Sequence, residues 1–443
     1  MSAGAIHQQH PEPAPRAVPH SADSVIIGAG VLGLLTALEL RRAGMSVVVL
    51  DAGRAGSAQS GSNLGFVRQQ GRGASEATLM RRSTELWGQL HGRLGERLGW
   101  TNGGHASVGR DAASEVEVRA WAPIAREQGI PFELLGPREA TQRFPWIGAG
   151  VGVVGFTPTD GHLDPVVAMQ AIRGLALSEG VELLENVPAV SLDITGGNVV
   201  GVQTPGGTIR TAATVLAAGM WSSRLLRRHG VHLPQYTGVG TVARTVPVPR
   251  LTHSTVWDLT GAGMRQDLSG RINFGLGQHV DIDVGWEEVS AAPHLLRTYL
   301  GSWRTLRLHA GRRLAGDVGS RLRRLPLAAL PLDRPEANLK LVARARRELG
   351  RLVPSLGESV EIESAWAGAI DSSADFLPVI GEVGLSGLVV LTGMSGHGMG
   401  IAPAAAEAVA QIVVTGDAGS ADISALDPRR LRGFRAYDTH APR

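Results

Sequence analysis

The 443-residue chain is 43% hydrophobic and 19% charged, a composition that supplies a packed core and excludes a wholly disordered protein. Its net charge of +3 is spread over 43 basic and 40 acidic residues with only 4% aromatics, which speaks against a nucleic-acid surface. The absence of cysteine excludes disulfides, thiolate metal sites, iron–sulfur clusters and any cofactor tethered through sulfur, and no metal is expected.

In chain order, residues 1–22 have neither the basic start nor the apolar stretch of a signal peptide, so a disordered tail and a cytoplasmic protein are expected. No apolar run reaches the ~18 residues a membrane span requires. Residues 24–51 (SVIIGAGVLGLLTALELRRAGMSVVVLD) predict strand, glycine turn, helix and strand. Gly28 permits the tight turn, Gly30 and Val31 bring backbone to a pyrophosphate at the helix N-terminus, and Gly33 lets helix pack on strand. Asp51 follows Gly33 by 18 residues, where an acid accepts from an adenosine ribose. A dinucleotide site follows, with NAD and FAD both open at this point.

The run SGSNLGFVRQQGR (60–72) is a candidate approach loop, in which Arg68, Gln69 and Gln70 face pyrophosphate, substrate or a neighbouring strand. Alternating strands with Gly-Gly turns precede ATVLAAGMWSS (213–223), a strand ending at Gly219. GMRQDLSGRINFG (263–275) predicts a hairpin turning at Asp267 to Gly270, with one arginine on each arm. Residues 295–325 hold eight arginines and one aspartate among leucines at helical spacing. One or two basic amphipathic helices are expected there, either packed with solvated arginines or lying on an anionic membrane face through Tyr299 and Trp303. Finally, 387–414 repeats strand, glycine-rich loop and helix: small residues around His397 let backbone lie against a flat ring, and the helix N-terminus favours a reduced anionic flavin.

GAGVLG with Asp51, SGSNLGFVRQQGR, DGHLDP (160–165), VLAAGMWS, WAGAIDSSADFLPVIG (366–381) and TGMSGHGMG resemble, in this order, the D-amino-acid oxidase superfamily of FAD-dependent amine oxidoreductases. The resemblance covers nearly all of the chain after residue 22. Glycine and sarcosine oxidases share the layout, while VRQQGR, MRQ and the segment after the hairpin look most like the membrane-associated bacterial L-amino acid deaminase and D-amino-acid dehydrogenase-like branch. It implies an α/β (α+β) fold, in which a glutathione-reductase-type FAD-binding Rossmann domain (23–105, 160–230, 366–430) carries an interleaved antiparallel-sheet substrate domain (106–159, 231–365). It implies non-covalent FAD and adds Ser60, Asn63, Gly65, Val187 and Gly219 to the cofactor residues. Gly393, Gly396, Gly398, Met399 and Gly400 complete that set.

The implied reaction is oxidative deamination of an α-amino acid, or its N-alkyl derivative, to a 2-oxo acid through an imine. Hydride passes from Cα to flavin N5, and oxygen or a quinone accepts the electrons. Such a site needs a bidentate grip on a carboxylate, which suits arginine. The resemblance gives that role to Arg265, with a structural ion pair as the alternative, and leaves Arg271 at a solvated hairpin end. Arg68 and Gln70 are further candidate substrate contacts. Trp366 is expected to close the pocket, Asp375 to be structural, and His397 to position backbone or exchange protons. Asn273 stands where sarcosine oxidases carry an oxygen-activating lysine, and the lone lysine is Lys340. In the deaminases the segment corresponding to 295–325 is linked to membrane association, but their N-terminal hydrophobic anchor has no counterpart here. Two other readings stay open: the flavin-bearing β-subunit of an opine- or hydroxyproline-type dehydrogenase, and a nucleotide-binding module without redox activity.

Overall fold

The computed structural model describes residues 17–277, 280–285, 306–310, 335–357, 360–419 and 421–438. Short runs of valine, isoleucine and leucine build its central sheet, in the order Val379–Glu382, Leu388–Thr392, Ala213–Leu216, Ser24–Ile27, Val47–Asp51, Glu182–Glu185. Only the first pairs antiparallel. Apolar side chains on both faces are what a sheet covered on both sides requires. Ile26, Val49 and Val215 turn to one layer, formed by the helices Val31–Arg42, Ala74–Leu94, Pro165–Ser178 and Gly398–Thr415. Val25, Ile27, Val48 and Leu50 turn to the other, where Leu192, Val199, Val202 and Ile209 of a three-stranded antiparallel sheet cover them.

The helix Gly398–Thr415 is long and apolar enough to cross a membrane, against the expectation that no such run exists. Here it lies in the core, packed against the helices Val31–Arg42 and Ala74–Leu94.

A second, larger sheet of ten strands holds the hairpin. Its long strand Gln235–Thr245 pairs antiparallel along its length with Ile362–Ser373 and also meets Ile272–Gly275. The hairpin arms are Gly263–Gln266 and Ile272–Gly275, with Arg265 directly opposite Asn273. The helix Leu339–Leu352 packs its buried leucines under this sheet.

Three expectations need correction. Residues 17–22 are not a loose tail: His20 and Ala22 bond the backbone of Arg210, and Val18 packs on the core. Residues 366–373 belong to the ten-stranded sheet, because that strand continues to Ser373 before the chain returns to the central sheet. Residues 306–310, expected as helix, form a strand parallel to Val280–Val284. The rest of 295–325, with Tyr299 and Trp303, lies outside the described residues.

Candidate functional site

The first glycine turn is shaped by contacts that forbid a side chain. Gly28 has φ +110°, and a Cβ there would stand 2.4 Å from the Ala217 carbonyl oxygen. At Gly33 a Cβ would stand 1.9 Å from the Gly28 carbonyl oxygen, so helix and turn touch. The Asp51 carboxylate accepts from the amides of Ala29 and Gly53, both at 2.7 Å, which oppose the upward push of burial on its proton affinity. Acid and turn are therefore locked to each other at the mouth of the helix Val31–Arg42.

From this turn a cavity of about 1440 Å³ runs along the junction of the two sheets to Arg68, Arg72, Trp257, Trp366 and His397. Small-ligand pockets measure roughly 300–1000 Å³, so this one has room for a dinucleotide and a small substrate together. An extended cavity that begins at a side-chain-free turn and an acid fits FAD. Gly28, Gly30, Val31 and Asp51 would hold its adenosine and pyrophosphate end, and Ser60, Asn63, Gly65, Gly219, Gly396, Gly398 and Met399 also line the wall. Gly33, Val187, Gly393 and Gly400 do not. Val187 donates its amide to the Asp51 carbonyl, Gly393 donates to Asp371, and a Cβ at Gly400 would meet Met80. These four shape the wall from behind.

Gly28→Ala tests the turn: a positive-φ alanine pressed on a carbonyl costs on the order of 1–3 kcal/mol. The variant is expected to hold FAD roughly ten- to a hundredfold more weakly. Equilibrium dialysis of the flavin, giving an unchanged Kd, would refute the assignment.

Mid-cavity, a buried polar knot gathers the walls. Asp371 accepts from Gln59 Nε2 at 2.8 Å, the Gly393 amide at 2.7 Å, and Gln235 Nε2 and Thr392 Oγ1 at 3.2 Å. Sequence reasoning passed over Asp371 in favour of Asp375, which pairs with Arg430 at 2.8 Å and is structural as expected.

The far end is cationic and aromatic. The Arg68 guanidinium sits 4.9 Å over the Trp257 ring, whose other contacts include Phe66, edge-on at 5.9 Å. Arg72 is only 7% exposed and its Nε has no hydrogen-bond partner. Burial, then the neighbouring Arg68, push the Arg72 guanidinium down to about 9. The acids nearby are engaged elsewhere: Glu76 meets His397 Nδ1 at 2.8 Å, and Asp160 accepts from the Gln69 amide and Gln69 Nε2, both at 2.9 Å. Arg72, Trp257, Phe66 and Glu76 escaped sequence reasoning. Arg72 closes the VRQQGR motif, and its spacing of four from Arg68 was the usable clue.

Several expected site residues lie elsewhere. Arg265 is 1% exposed and absent from the cavity wall; its Nε donates to the Leu64 carbonyl at 2.6 Å and its Nη2 lies 3.5 Å from Asp164, the N-cap of the helix Pro165–Ser178. The contacts are those of an ion pair between sheet and helix, with Nη1 buried and without a partner, and in this arrangement the side chain does not line the cavity. Asn273 is buried off the wall, accepting from Arg244 Nε and donating to Asp267. Gln70 is buried against Thr157 and also misses the wall. Arg271 is forked on Glu363 at 2.8 Å, paired rather than solvated. Trp366 lines the cavity and donates Nε1 to the Ser62 carbonyl at 2.9 Å.

His397 lines the cavity, but burial and Arg72 push its imidazole down to about 4 against the pull of Glu76. It is neutral at physiological pH. A free histidine binds its proton near 6.5, so the unfolded chain takes up that proton first, and folding stability is lost as pH falls from 6.5 towards 4. Denaturant titrations should show His397→Gln losing less stability than wild type across that window; equal slopes would contradict the assignment.

Comparison with known proteins agrees with this geometry. The family model described as FAD dependent oxidoreductase (DAO) matches residues 23–412. Glycine oxidase of Pseudomonas aeruginosa is 28% identical over 88% of this chain and 94% of its own length. The 4-methylaminobutanoate oxidase (formaldehyde-forming) of Paenarthrobacter nicotinovorans is 26% identical over 94% of this chain, which spans 46% of that longer protein. Among solved structures, L-amino acid deaminase from Proteus myxofaciens superposes with TM-score 0.85 at 23% identity, covering 94% of each chain, a likeness of fold.

Proposed function

Because this chain belongs to the DAO family of FAD-dependent oxidoreductases, with FAD as its cofactor, we propose that it oxidises an α-amino acid or an N-alkyl amino acid. The product is an imine, which water converts to the 2-oxo acid and the free amine. Bound FAD supplies the two-electron acceptor for the hydride leaving Cα. The protein's part is to hold a carboxylate and an amine at the far end of the cavity, away from water.

The observation that carries this reading is Arg72. A guanidinium 7% exposed on the cavity wall, with its Nε unpartnered, lacks an anion that a substrate carboxylate would supply. Arg68 lies beside it on the same wall. Methylaminobutanoate, glycine and L-amino acids, the compounds in the relatives' names, are all amines that bear a carboxylate. The walls supply apolar cover from Phe66, Trp257 and Trp366.

Anaerobic mixing of the yellow holoenzyme with a panel of L-, D- and N-methyl amino acids tests the proposal. At least one is expected to bleach the flavin and yield a 2-oxo acid, whereas the corresponding decarboxylated amines react poorly. A flavin left oxidised by every amino acid would overturn it. Acid precipitation should release the flavin into the supernatant, since no cysteine can tether it.

A further inference from the structure

Resting on the reading above, we infer that the preferred substrate is a dicarboxylic amine, an amino diacid or an N-(carboxyalkyl) amino acid, with one carboxylate on Arg72 and the second on Arg68.

Two guanidiniums share one end of the cavity, and among the described residues neither has a carboxylate within ion-pair distance or a side-chain hydrogen bond. The three acids whose fields reach Arg68 are Asp160, Glu117 and Glu76. Glu76 is taken by His397, Asp160 by the backbone and side chain of Gln69, and Glu117 is exposed on its helix and makes no ion pair with Arg68. Burial pushes the Asp160 carboxyl up to about 6, so at neutral pH it stays ionised, and its charge is met by Gln69.

Arg68 instead rests on the face of Trp257 at 4.9 Å. A cation over an aromatic ring is a weak hold, about 0.5–1 kcal/mol where water reaches it, and it leaves the planar N–H fork unused. The two cations also repel, since Arg68 lowers the proton affinity of Arg72. A monocarboxylate on Arg72 would leave the half-buried Arg68 without a carboxylate partner, whereas a dicarboxylate meets both charges. Gly277 fixes the geometry of this second seat. A Cβ there would stand 1.7 Å from the Trp257 ring, so only glycine lets that ring lie flat beneath Arg68.

The test compares matched pairs differing in the second carboxylate alone, on the holoenzyme: glutamate against glutamine, and N-carboxymethylalanine against N-methylalanine. In anaerobic flavin reduction the diacid is expected to exceed its partner by about a hundredfold in kcat/KM, the weight of one buried charge-assisted contact. Glutarate should likewise bind oxidised holoenzyme more tightly than butyrate, read as a flavin spectral shift. In Arg68→Met the diacid-to-monoacid ratio should collapse towards one, and Arg68→Lys should restore part of it. If monoacids match diacids in wild type while the flavin still bleaches, the second seat does not exist and the amine oxidation stands. If the ratio survives in Arg68→Met, Arg68 is not that seat. If no amine of either kind reduces the flavin, the oxidation itself falls.

Discussion

Arg72→Met is expected to keep the fold and the flavin while kcat/KM for amino acids falls by roughly two to four powers of ten. Hydrogen bonds to a charged group contribute ~1.5–3 kcal/mol each, and a forked guanidinium makes two to a carboxylate. Methionine keeps the length and apolar contacts of the arginine stem, so the change removes the fork and little else. The backbone task of this position survives, since Trp121 Nε1 donates to the Arg72 carbonyl rather than to its side chain. In the free enzyme the variant should be no less stable than wild type, because a buried cation without an anion is a cost that methionine removes. Steady-state kinetics with a thermal melt separates the cases. Efficiency within tenfold of wild type would show that the carboxylate sits elsewhere, and a lowered melting temperature would mean that Arg72 has an anion of its own.

The dinucleotide half of this site was legible in the sequence because its signals are local. GAGVLG and Asp51 sit within one strand, turn and helix, and the contacts that enforce glycine at positions 28 and 33 come from that unit and the adjacent strand end at Ala217. The substrate half was not, because it depends on which face of a strand meets the cavity. Arg265 and Asn273 stand opposite each other in the hairpin and share a face, and the structure turns that face to Asp164 and Arg244. Nothing in GMRQDLSGRINFG specifies that turn. It is set by residues outside that run: Leu64 and Asp164 receive Arg265, Arg244 receives Asn273, and a Cβ at Gly263 would meet Trp257. Likewise 306–310 has leucines that suit either period, and its pairing with Val280–Val284, remote in sequence, selects the strand.

Arg265→Met should behave in the opposite way to Arg72→Met, and the contrast between two identical substitutions is the sharper test. Arg265 is buried with two partners already in place, a backbone carbonyl at Leu64 and a carboxylate at Asp164, and only its Nη1 is unpartnered, so its loss is a loss of structure. The Leu64 bond to a charged donor contributes ~1.5–3 kcal/mol, and the variant is expected to lose about that much stability and to melt at a lower temperature. Asp164 would not be stranded, since Arg244 Nη2 lies 3.9 Å from the same oxygen and its carboxylate still caps the amides of Val166 and Val167. That places the expected cost below the ~3–5 kcal/mol of a buried ion pair broken without recourse. The damage should appear first in the loop from Ser62 to Gly65, which lines the cavity and is gripped at two carbonyls, Leu64 by Arg265 and Ser62 by Trp366. Flavin should therefore dissociate more readily, while with saturating FAD the KM for amino acids changes far less than in Arg72→Met. A KM raised a hundredfold at full flavin occupancy and unchanged melting temperature would return the carboxylate to Arg265 and show that this arginine swings to the cavity when substrate binds.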